Sequence, residues 1–63
     1  MTPLPPRLDQ IARLIAVGLP NKLIAAEMGL TYGTVKQHLY RLYRRVGVSN
    51  RTELANWTRD HLR

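Results

Sequence analysis

The sequence has 63 residues, no cysteine, and ten Lys and Arg against four Asp and Glu, for a net charge of +6. So short a chain forms one domain over residues 1–63 and buries only about 60% of the surface its unfolded form exposes, too little for both a core and a walled catalytic cleft, so no enzyme is expected. Disulfides and thiolate metal sites are excluded, and His38 and His61 stand far apart with no acidic cluster beside them, so neither a metal nor another cofactor is expected.

Met1 to Pro6 lacks the positive start and apolar run of a secretory signal, and no apolar stretch approaches the length of a membrane span, so the expected location is the cytoplasm. The positive charge is unevenly placed. Met28 to Thr52 holds five basic residues (Lys36, Arg41, Arg44, Arg45 and Arg51) and no acidic one, whereas the first 27 residues net +1 and residues 53–63 net zero. A polyanion selects for a positive field concentrated in this way, although a solvated basic face is the plainer alternative.

In chain order, Leu8, Ile11, Leu14 and Ile15 recur at helical spacing, with Pro5 and Pro6 suited to a helix start and Gly18 to a stop, which predicts a helix over about residues 6–18. A second, short helix is expected over about 20–28, with Ile24, Ala25 and Met28 facing inward and Gly29 ending it. Thr31 can cap a third helix over about 32–46, whose Val35, Leu39, Leu42 and Val46 form one seam. After Gly47 and an inward Val48, Asn50 and Glu53 have the spacing of a capping box for a fourth helix over about 51–61, with Leu54, Ala55, Thr58 and Leu62 on one face. The expected class is all-α.

Ala25, Gly29 and Val35 are spaced as a helix-turn-helix requires. A small residue is needed where two helices cross closely, a left-handed residue in the tight turn, and a plug in the angle between them. The third helix then protrudes as a rod sized for a DNA major groove. With its seam turned inward, it leaves Tyr32, Gly33, Lys36, Gln37, Tyr40, Arg41 and Arg44 outside. Lys36 can donate to guanine O6 and N7, Gln37 can pair bidentately with adenine, and Tyr40 lies one turn on, so these three are the candidate base readers. Arg41 and Arg44 suit phosphates, as do Tyr32, Thr34, Asn21 and Lys22. Ordinary surface residues are the alternative for each; Arg45 suits a phosphate as well, with simple exposure to solvent as its alternative. His38 reads as a hydrogen-bonded packing histidine, and Trp57 as either core or a dimer contact.

With these residues in hand, the chain resembles the LuxR-type (GerE/FixJ-type) DNA-binding domain over about residues 4–60. Four strings carry the likeness: Gly18 to Ala25, Gly29-Leu30-Thr31, Thr34 to Leu39, and Gly47 to Glu53. The resemblance implies a bacterial transcription regulator that binds double-stranded DNA and sits on the nucleoid when bound. It implies a third helix reading the major groove through Lys36, Gln37 and Tyr40, and phosphate contacts from Asn21, Lys22, Thr34 and Arg51. It also implies a homodimer through the fourth helix around Leu54, Trp57 and Thr58. Most family members join this domain to a receiver or ligand-sensing domain. A stand-alone regulator or a piece of a longer one are both open, with Met1 and its short Pro-containing lead favouring the former.

The chain departs from the family pattern in places. Pro5-Pro6-Arg7-Leu8 stands where Thr-Pro-Arg-Glu is usual, Gln10 and Leu23 stand where glutamate is usual, and Pro20 replaces a serine cap. Gly33, near the start of the third helix, costs about 1 kcal/mol against alanine. Two other readings compete with the first. One is a protein-interaction module that binds another regulator or RNA polymerase, suggested by the apolar Leu23 and Trp57. The other is a sigma-factor segment, suggested by Gly33 to Lys36 but opposed by the Gly47 to Glu53 string.

Overall fold

The computed structural model describes residues 4–62, and these form four α-helices with no strand among them. They are α1 (Pro6–Ala16), α2 (Asn21–Met28), α3 (Tyr32–Val46) and α4 (Arg51–His61). The expected bounds hold for the last three helices to within a residue. The first ends two residues earlier than the 6–18 expected, because Gly18 turns to φ +95° and the Leu19 N–H returns to the Leu14 carbonyl at 3.1 Å.

The same C-terminal device recurs on α2 and α3, where Leu30 N–H donates to Ala25 O at 2.9 Å and Val48 N–H to Tyr43 O at 3.0 Å. In each case a left-handed glycine lets the next N–H close on a carbonyl left without a partner, while the apolar residue that follows packs on the core. The starts are capped by side chains on α3 and α4. Thr31 Oγ1 accepts from Thr34 N–H at 3.1 Å, and Asn50 Oδ1 from Glu53 N–H at 2.9 Å. The return bond of the expected capping box is displaced by one residue, since Glu53 Oε1 accepts from the Ser49 N–H, at 2.7 Å, rather than from Asn50.

Helix α1 is the hub and packs on the other three. Its Leu8, Ile11, Ala12 and Ile15 meet Ile24 and Ala25 of α2, Val35, Leu39 and Leu42 of α3, and Leu54 of α4 in one cluster. Ile11, Ile24, Val35, Leu42 and Leu54 are fully buried; such aliphatic side chains each contribute about 1.5–3 kcal/mol by leaving water. Leu4 joins this core, an addition that the helical periodicity did not foresee because Leu4 precedes the helix. Leu62 is buried as expected, whereas Leu14, Met28 and Val46 are only half-buried. No described helix is long and apolar enough to cross a membrane.

Candidate nucleic-acid interface

Three residues, Gly29 to Thr31, separate α2 from α3, and the turn has the predicted construction. Gly29 is left-handed at φ +66° and ψ +35°, Ala25 is buried where the helices cross, and Val35 is wholly enclosed. No heavy atom lies within 4 Å of where a Gly29 side chain would begin, so conformation alone demands glycine here. The inner seam locks the rotation of α3, and that rotation fixes what the helix offers to the outside.

One continuous open surface of α3 is lined by Lys36, Gln37, Tyr40, Arg41 and Arg44. All three predicted base readers therefore share a face with two of the predicted phosphate contacts. Tyr40 is 67% exposed, a large aromatic surface for a side chain with no partner in the fold. Lys36 Nζ lies 5.7 Å from the centre of the Tyr32 ring, within the range of a cation–π contact that holds both residues at the same edge of the helix. Thr34 is tied to the cap, its hydroxyl 2.9 Å from that of Thr31.

The contacts assigned to α2 and α4 are arranged differently. Arg51 reaches from the first turn of α4 to α2, donating from Nη1 to Asn21 Oδ1 at 2.7 Å and from Nη2 to the Leu19 carbonyl. Arg51 is thus engaged within the fold as a brace on the start of α2. Lys22 is exposed beside it.

Two of the three residues assigned to the dimer contact need correction. Leu54 is fully enclosed in the core, and Thr58 is buried with its hydroxyl donating to the Leu54 carbonyl at 2.9 Å. Neither side chain reaches the surface of the folded domain. Only Trp57 is available, half-buried against the core and stacked on His61 with ring centres 4.8 Å apart. Trp57 is thus partly core and partly surface.

His38 also differs from expectation. It is half-buried beside the seam, but its Nδ1 is shut off from solvent without a hydrogen-bond partner. Its pKa is held below the usual histidine value, first by burial, which disfavours the charged ring, and then by the positive charges of Arg41 and Arg7. No group of His, Cys, Asp or Glu among the described residues is placed to hold a metal ion.

Residues 2–58 match the model of the GerE family, the bacterial regulatory proteins of luxR type, and the chain belongs to that family of helix-turn-helix transcription regulators. It is 37% identical over 57 residues to the CsgBAC operon transcriptional regulatory protein of Escherichia coli (strain K12), covering 90% of this chain and 26% of that protein. It is 43% identical over 54 residues to the nitrate/nitrite response regulator protein NarL of the same strain, covering 86% of this chain and 25% of NarL. It is 46% identical over 54 residues to the transcriptional regulatory protein UhpA of Salmonella typhimurium (strain LT2), covering 86% of this chain and 28% of UhpA. The chain thus spans about a quarter of the length of these curated relatives.

Proposed function

We propose that the chain is a sequence-specific binder of double-stranded DNA that regulates bacterial transcription by placing α3 in the major groove. The observation that carries this is the shared open face of Lys36, Gln37, Tyr40, Arg41 and Arg44 on a helix whose opposite face is locked into the core. A groove about 12 Å wide admits such a helix; Lys36, Gln37 and Tyr40 meet base edges while Arg41 and Arg44 meet phosphates. Thr34, Tyr32, Lys22 and the Asn21 amide contact the flanking backbone, and Arg51 acts through Asn21 by holding it in place. Two copies pair through the outer side of α4, with Trp57 at the contact, and present their α3 helices to half-sites one turn of DNA apart.

Selection of bound duplexes from a random pool tests this directly. A palindromic consensus is expected, and its recognition is expected to be lost in Lys36→Ala and Gln37→Ala. A pool that emerges without any consensus overturns the proposal. The exposure of Leu23 (54%) on α2 favours a second activity, the docking of RNA polymerase or another regulator. A complex with such a protein that survives Arg41→Ala and Arg44→Ala but not Leu23→Glu is its signature.

A further inference from the structure

We infer that the start of α1 and the C-terminal half of α3 build a second phosphate-binding surface, which grips the DNA backbone beside the groove that α3 reads. This rests on the DNA-binding reading above and extends it to Arg7 and Arg45. A shallow hollow next to the reading face is lined by Pro5 and Leu8 of the α1 start and by Arg41, Arg44 and Arg45 of α3. Arg7 is exposed on the first turn of α1, between the lining residues Pro5 and Leu8, and its charge, like that of Arg41, is felt at His38. Chain positions more than thirty residues apart are thereby gathered into one basic surface.

Arg45 is too far round the helix to read bases. At about 100° per residue it lies about 80° from Gln37, so a helix that aims Gln37 at the groove floor aims Arg45 at the wall on the α1 side. The walls of the groove are phosphate strands, so charge is what that wall recognises. The described residues hold a single salt bridge, Asp9 to Arg13 at 3.1 Å, and no carboxylate pairs with Arg7, Arg41, Arg44 or Arg45. Four arginines without a counter-ion repel one another in the free domain, and a row of phosphates relieves that repulsion. The hollow is open and shares Arg41 and Arg44 with the reading face, so a single extended polyanion covers both.

The test is the salt dependence of binding for Arg7→Gln, Arg45→Gln and the double variant, measured by fluorescence anisotropy on the selected duplex and a scrambled one. Both side chains are exposed, and thermal melts that overlay the wild type confirm that the fold is intact. Each lost phosphate contact lowers the slope of log K against log salt by about 0.9, which is about an eightfold loss at 0.1 M salt that vanishes on extrapolation to 1 M. The loss is equal on the two duplexes, and Arg7→Lys and Arg45→Lys restore the slope. A double variant with the wild-type slope overturns this inference alone, as does a loss confined to the selected duplex or a lysine that fails to restore. A wild type that binds neither duplex overturns the DNA-binding reading along with it.

Discussion

The two faces of α3 are made from the same fifteen residues and do opposite work. On the inner face Val35, Leu39 and Leu42 are buried with almost no freedom to change, because each fills space shared with α1 and α2. On the outer face Lys36, Gln37, Tyr40, Arg41 and Arg44 have no partner in the core and line one open surface. On the proposed function, the difference separates folding from recognition: one side of the helix fixes its orientation, and the other is left to chemistry. Substitutions on the two faces should therefore be read by different experiments.

The largest effect is expected from Leu42→Ala, which empties a fully enclosed site. Such a truncation removes about 2–5 kcal/mol, a large share of the stability of a 63-residue domain, and denaturant titration should show a partly or wholly unfolded chain. Gln37→Ala should do the reverse. Its melt should stay within about 0.5 kcal/mol of wild type, while preference for the selected duplex over a single-base variant falls by about 1–3 kcal/mol. A destabilised Gln37→Ala with unchanged discrimination would erase the division between the faces.

Smaller effects separate backbone from side chain at the two glycines nearest the reading face. Both have open space where a side chain would begin, but only Gly29 has positive φ. Gly29→Ala should lose about 1–2 kcal/mol from left-handed strain. Gly33→Ala should gain up to about 1 kcal/mol, since alanine favours the helix and nothing obstructs it. Equal shifts in the two melts would show that the turn does not depend on the handedness of Gly29.

The smallest effect concerns His38, which lies at the border between the faces. Because its folded pKa lies below the ordinary 6.5, the unfolded chain takes up a proton that the folded one resists. Stability from this residue is therefore complete above about pH 7 and declines as pH falls below the unfolded value. His38→Gln should flatten the stability curve below about pH 6.5 relative to wild type. Parallel curves for the two proteins would show that burial and the nearby arginines leave the ring untouched.

Much of this molecule was legible in its sequence because helices announce themselves locally. Periodic apolar residues, Thr31 and Asn50 as caps and the stopping glycines lie within a few positions of what they control, and they gave four helices with bounds close to those observed. The outward set of α3 followed as well, since fixing the inner seam of one helix fixes its outer residues by geometry. The fourth helix was less legible. Leu54 and Thr58 look like any apolar stripe, and whether a stripe faces its own core or a second copy depends on how much of it α1 already covers.

What the sequence determined by itself was the set of helices, the turn between α2 and α3, and the residues that α3 holds outward, all of which follow from short-range spacing. Only the tertiary structure decided that Arg51 braces Asn21, that Leu54 and Thr58 are interior, that the His38 Nδ1 lacks a partner, and that Pro5 and Leu8 line a hollow with Arg41, Arg44 and Arg45. Each of these joins or conceals groups through the packing of one helix on another. No local pattern records that, because a pair distant in the chain meets only after the intervening helices have found their angles.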